Sequence, residues 1–172
     1  MLRASCVTVF AVALFMSHAC AAAPDEPPID AASSAKLADD VKAEFLHAWS
    51  SYRRYAWGHD DLDPISKKPR DWYGTPLLMT PVDALDTMLL MGLRGEADAA
   101  RELIATKLDF DQDIYVKNFE VTIRLLGGLL SAYQLSGDER LLHKAEDLGR
   151  RLLPVFDSPS GLPYVEVNLR TG

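Results

Sequence analysis

Residues 119–137 read FEVTIRLLGGLLSAYQLSG, and this stretch limits what the chain can build more than any other. A helix so apolar around its circumference must be enclosed by other elements, so the chain has to supply a second layer around it. Glu120 and Arg124 nevertheless stand near its start. At about 100° per residue, Glu120, Arg124, Gly127 and Ser131 fall within a stripe roughly 60° wide. A buried helix that turns one narrow polar face outward is consistent with lining a cavity that admits a polar ligand. Ordinary helix chemistry also accounts for the charges: an acid in the first turn suits the helix dipole, and Glu120 with Arg124 is an i,i+4 ion pair. Gly127 and Gly128 equally suit close helix packing.

The rest of the chain alternates in style. Ser34 is the expected N-cap of an amphipathic helix whose Leu37, Val41, Phe45, Ala48, Tyr52 and Tyr55 recur at helical spacing. A long loop rich in Pro, Gly and Asp follows, of a length that often marks function. Thr80-Pro81-Val82-Asp83 then reads as a helix start with Thr80 as N-cap, opening a mostly apolar helix with Asp83, Asp86 and Thr87 along one side. Capping explains Asp83; Asp86 has no such explanation. Residues 94–107 return to a charged amphipathic pattern, Asn118 is the expected N-cap of the opening helix, and Asp138 caps a last helix. In that helix Leu141, Ala145, Leu148, Leu152 and Val155 form one apolar stripe. Alternating buried and amphipathic helices suit a two-layered ring of hairpins, inner helices lining a centre; a plain helical bundle satisfies the same periodicity.

The N-terminus has a different purpose. Arg3 precedes an apolar run from 7 to 16 and then small residues, the pattern of a secretory signal, cleaved after Ala21 or Ala23. The run is far short of the roughly 20 residues that a membrane span needs. We therefore expect a signal peptide over 1–23, a Pro- and acid-rich linker over 24–33, a helical domain portion over 34–172, and an exported protein. The alternative is membrane association through an uncleaved signal or a lipidated Cys20. Both cysteines, Cys6 and Cys20, lie in this segment, so a mature chain is expected to rest on packing rather than disulfides. The formal charge of −7, without a basic stripe, argues against nucleic acid and anionic membrane surfaces as partners.

No GxSxG, HExxH, CxxC or phosphate-binding loop is present. His59-Asp60-Asp61 offers metal-ligand chemistry in principle, but a turn-forming, solvated acidic loop is the preferred reading. No metal ligand is assigned within the chain.

YAWGHDDLDP (55–64), VDALDTMLLMGL (82–93), FEVTIRLLGGLLSAYQLSG (119–137), KAEDLGRRLLPVF (144–156) and GLPYVEVNLRTG (161–172) resemble successive blocks of glycoside hydrolase family 47, the class I α-1,2-mannosidases. The resemblance implies an all-α fold, the first two to three hairpins of an (α/α)7 barrel. It implies inverting hydrolysis of terminal α-1,2-linked mannose from N-glycan-type oligosaccharides, and a Ca2+ ion touching the sugar hydroxyls whose ligand falls beyond residue 172. The family's FExxIR motif lands on residues 119–124, which makes Glu120 the acidic catalytic residue and Arg124 a substrate-contacting one; Asp86 and Asp83 are further candidates for substrate binding. An inverting hydrolase needs an acid and a base on opposite faces of the sugar, and a buried acid in a cavity can keep its proton.

The family's other catalytic carboxylates belong to later blocks. The chain is therefore expected to be the N-terminal part of a mannosidase, inactive alone, with apolar surface open on the flanks of its inner helices. A noncatalytic relative that only binds mannose glycans, and a helical scaffold without ligand, are the alternatives.

Overall fold

The computed structural model describes residues 29–172; the expected signal and most of the expected linker lie outside them. The first helix, α1 (Ala31–Tyr55), starts three residues before Ser34, because the Asp30 carboxylate accepts from the backbone N–H groups of Ala32 and Ser33 and caps it. Asp and Ser are near-equal caps, and the run of alanine and serine after Asp30 extends the helix without a break, so the last positions assigned to the linker are helical. Only the second half of α1 is buried. Trp49 and Tyr52 stack at 5.3 Å and reach the core, whereas Leu37 and Val41 of the expected apolar stripe are exposed.

The long loop is not structureless. It folds into a hairpin of β1 (Asp61–Asp63) and β2 (Lys68–Arg70), antiparallel with Leu62 opposite Pro69. Helices α2 (Met79–Leu90) and α3 (Arg94–Lys107) follow, joined by a turn in which Gly92 takes a left-handed φ of 72°. The acidic segment after α3 becomes β3 (Tyr115–Lys117), paired antiparallel with β4 (Glu166–Asn168) near the chain's end. These two small sheets are the strands that helical periodicity did not reveal.

The helix expected over 119–137 is three pieces: α4 (Asn118–Val121), a π-helical segment (Thr122–Leu126) and α5 (Gly127–Ser136). Asn118 is its first residue rather than its N-cap; its side chain accepts from the Thr122 hydroxyl instead. Gly137, at φ 70°, closes α5 with its N–H on the Tyr133 carbonyl, a left-handed ending that glycine adopts most easily. Then α6 (Glu139–Leu152) begins on Asp138, whose carboxylate accepts from the Arg140 N–H as expected.

Packing follows the alternation. The apolar helices α2 and α5 lie against each other; the amphipathic α3 packs on α2 and α6 packs on α5; and α3 touches α6. Two hairpins, α2–α3 and α4/α5–α6, thus stand side by side with one inner and one outer helix each. The expected stripe of α6 is buried at Leu141, Ala145, Leu148 and Leu152, with Val155 in the 3-10 turn after it. Where α5 crosses α2, a Cβ on Gly128 would lie 2.9 Å from Val82 Cγ1 and 3.3 Å from the Val82 carbonyl oxygen. Glycine at 128 therefore sets how closely the inner helices approach, while a Cβ on Gly127 would meet only the Thr122 carbonyl oxygen, at an ordinary 3.6 Å. On the outward flank of the inner pair, Leu90, Phe119 and Ile123 are exposed.

Candidate functional site

The polar residues of the two inner helices meet one another. Arg124 donates from Nε to Glu120 Oε2 at 2.8 Å, and from Nη1 to Asp83 Oδ2 of α2 at 2.8 Å. One turn further along, Ser131 donates its hydroxyl to Asp86 Oδ2 at 2.8 Å. Sequence reasoning named Glu120, Arg124, Asp83 and Asp86, and the structure brings the first three into one network and sets Asp86 next to it, engaged by Ser131 rather than by Arg124. Asp83 is not spent on capping, because α2 starts four residues before it.

The network is half open. Side-chain exposure is 28% for Glu120, 34% for Asp83 and 37% for Arg124. Glu120 is thus not the enclosed acid that the sequence suggested: one oxygen is tied to Arg124 and the group borders solvent. Burial raises the Asp83 carboxyl above its ordinary range against the opposing pull of Arg124, and the two carboxylates together hold the Arg124 guanidinium more firmly protonated than usual. Arg124 carries five N–H donors, and its Nη2 has no protein acceptor among the described residues.

Glu120 and Arg124 bracket the start of the π-helical segment. The i→i+5 pattern is rare and is frequently found at functional sites. Periodicity at 100° per residue cannot show it, and it is why the glycine that packs on α2 is Gly128 while Gly127 falls outside the crowded face.

A second group of residues comes from the loop before α2. Asp60, expected in a solvated acidic loop, is 0% exposed. Its Oδ1 accepts from Leu77 N–H at 2.7 Å and Met79 N–H at 3.2 Å, its Oδ2 accepts from Trp72 N–H at 3.0 Å, and its carbonyl accepts from Thr80 N–H. This is the cap that Thr80 was expected to supply. The residue preceding α2 is instead Leu78, at φ 56° and ψ 41°, a left-handed conformation that costs a side-chain-bearing residue roughly 1–2 kcal/mol. The buried carboxylate holds the N–H groups on either side of it. Burial raises the Asp60 carboxyl above its usual range despite those three donors, and Asp71 adds to the rise. Asp71 in turn accepts from the Asp60 N–H and contacts His59 Nδ1 at 3.0 Å, so the His59-Asp60-Asp61 run is tied into the protein.

Trp72 completes the site. Its indole Nε1 donates to Asp61 Oδ2 at 2.7 Å, and the Arg124 guanidinium carbon lies 5.2 Å from its ring centroid, within cation–π range. Trp72, Arg70, Tyr73, Lys117 and Glu120 wall a hollow of about 350 Å3. On its other side Glu120 borders an apolar cleft of about 600 Å3 formed with Phe119, Ile123, Leu153 and Phe156. Sequence reasoning missed Trp72 and Asp60. The available signal for Trp72 was a Trp-Tyr pair inside a Pro/Gly loop; both rings pack partly against the core. For Asp60 there was none, since its partners lie as far as 19 residues away.

The profile of Glycosyl hydrolase family 47 matches residues 44–172. Among curated proteins, the human endoplasmic reticulum mannosyl-oligosaccharide 1,2-alpha-mannosidase is 56% identical over 128 residues, 74% of this chain and 18% of the human protein. A mannosyl-oligosaccharide 1,2-alpha-mannosidase of Arabidopsis thaliana is 50% identical over 147 residues, 86% of this chain and 25% of the plant protein. The chain thus spans a quarter or less of the length of these relatives. In three dimensions it is similar to an alpha-1,2-mannosidase from Trichoderma reesei, with a TM-score of 0.72 and 31% identity over 80% of this chain and 31% of the fungal one. The two hairpins with their inner and outer helices are part of an (α/α)7 barrel, and the chain, matched over three quarters of its length, belongs to glycosyl hydrolase family 47.

Proposed function

We propose that this chain contributes the acid-bearing part of an inverting mannosidase that releases terminal α-1,2-linked mannose from oligosaccharides of the N-glycan type. The supporting observation is the Glu120–Arg124–Asp83 network on the inner face, half open and bordering a hollow beside Trp72, in a chain of this family. In an inverting reaction one carboxylic acid protonates the leaving oxygen while a second carboxylate activates water on the opposite face of the ring. Glu120 takes the acid role. Arg124 orients the sugar through donors its two carboxylates leave unused. Asp83 holds Arg124 from the neighbouring helix, and Asp86 stands next in line toward the same face. The carboxylate that activates water is assigned to no residue of this chain. The substrate is an exported or luminal glycan, in keeping with the signal-like N-terminus.

The calcium ion that the resemblance implies would contact the sugar's hydroxyls. Among the described residues no group of three or more His, Cys, Asp or Glu side chains is placed to hold a metal ion, and the carboxylates of the site are engaged by Arg124 and Ser131. These described residues do not fit such an ion.

Mannose release from α-1,2-mannobiose by a full-length family 47 protein carrying these residues tests the reading. Glu120→Gln keeps size and hydrogen bonding but removes the proton transfer, so kcat should fall by about 10²- to 10⁴-fold with KM little changed. Mannobiose binding without release, indifferent to Glu120→Gln, would replace the enzyme with a noncatalytic mannose-binding relative. Unchanged turnover in Glu120→Gln would remove Glu120 from the chemistry.

A further inference from the structure

The loop between α1 and α2 carries more fixed structure than a connector needs, and its contacts converge on one side chain. Trp72 is held at two points: its backbone N–H on the buried Asp60 carboxylate, and its indole Nε1 on Asp61. Asp61 is itself held by Arg70 across the β1–β2 hairpin. An indole pinned at both ends presents its face in a set orientation, and on that face lies the guanidinium of Arg124. Glu120 and Asp83 fix two N–H groups of that guanidinium within its plane. In-plane hydrogen bonds alone leave it able to tip; an aromatic face beneath it removes that freedom, because the attraction falls off as the cation leaves the ring.

We propose that Trp72 is a positioning residue for sugar binding: it acts through Arg124, holding the guanidinium plane so that the unused donors point consistently at a mannose hydroxyl. The hairpin and Asp60 then act as a bracket that carries Trp72 to Arg124 across about 50 residues of sequence. This inference rests on the reading that Arg124 contacts the sugar.

The test is a double-mutant cycle in a full-length family 47 protein carrying these residues, with α-1,2-mannobiose as the probe, measured by mannose release and by calorimetric binding. Trp72→Leu should raise KM and Kd by about 2- to 30-fold. Trp72→Phe, which keeps an aromatic face, should recover most of that loss. In an Arg124→Ala background, Trp72→Leu should add less than about two-fold, since residues acting through one contact are not additive. If Trp72→Leu does not fold, Asp61→Ala replaces it in the cycle, leaving the ring but releasing its N–H. Equal effects of Trp72→Leu with and without Arg124 would overturn the proposal, since the ring would then act on the sugar directly. A lowered melting temperature with KM and Kd unchanged would overturn it in favour of a purely structural tryptophan. If Arg124→Ala leaves KM, kcat and Kd as they were, the reading of Arg124 itself fails, a different result from the failure of Trp72.

Discussion

Asp60 and Glu120 are both acids set beside an inner helix, and they differ in what remains unspent. Asp60 has no exposure and gives both oxygens to backbone N–H groups; nothing is left with which to meet a ligand. Glu120 is tied through one oxygen to a side chain, stands more than a quarter exposed and borders two concavities. Each is part of a cluster of like charges, since Asp71 lies beside Asp60 and Asp83 joins Glu120 through Arg124. The difference teaches how to tell an acid committed to structure from one still free to meet a ligand. A carboxylate saturated by backbone donors sets geometry, and one with an oxygen to spare beside an open hollow keeps the capacity to bind.

The contrast can be broken most sharply at Asp60. Asp60→Ala leaves three N–H groups without their acceptor and removes the support around Leu78, so it should cost about 3 to 5 kcal/mol in denaturant unfolding; a loss below about 1 kcal/mol would mean that water or the loop replaces the cap. Arg124→Ala should do the opposite, costing about 1 kcal/mol or less of stability because its ion pairs are partly exposed, while raising KM and lowering kcat. An Arg124 variant that unfolds as readily as Asp60→Ala would erase the distinction. The smallest effect lies in pH dependence. Because burial raises the Asp60 carboxyl, the folded state binds its proton more tightly than the unfolded state. Native stability relative to Asp60→Asn, which cannot titrate there, should therefore increase as pH falls from neutral through the raised value to the ordinary carboxylate range, and should lose that increment as pH rises again. Carboxyls held low elsewhere, such as Asp138 on Arg140, cancel in this difference.

Periodicity exposed the helices and their layers because burial against one neighbour repeats every turn. The α6 stripe and the apolar inner pair were visible that way, and so was the polar stripe of Glu120 and Arg124, whose roles came from the family resemblance. What periodicity could not show depends on contacts between distant segments. The cap of α2 comes from Asp60, not from the local Thr80-Pro81 signature, since a buried carboxylate reaching three N–H groups outweighs a single hydroxyl. The β3–β4 pairing joins residues about 50 apart in sequence. The first half of α1 carries an apolar stripe that finds no partner among the described residues, which shows that a pattern announces a face to be covered without saying where its cover lies. Trp72 remained hidden because its role follows from what stands above its ring.

The π-helical segment at Thr122–Leu126 makes residue number, as distinct from residue type, a structural variable. Upstream, the phase of the helix is set by Glu120 meeting Arg124; downstream it is set by Gly128 against Val82 and Ser131 on Asp86. An uninterrupted α-helix satisfies one of these phases and misses the other by the roughly 100° that a single residue turns; a turn bonded i→i+5 absorbs that residue. Losing one residue between 122 and 126 would turn the segment into ordinary α-helix and keep both phases. Straightening it without that loss would swing α5 around its own axis by the same angle and carry Ser131 away from Asp86. The bonding pattern of this short stretch thus matters as much as any side chain in it, with the Glu120–Arg124 pair keyed to one end and the packing of the inner helices to the other.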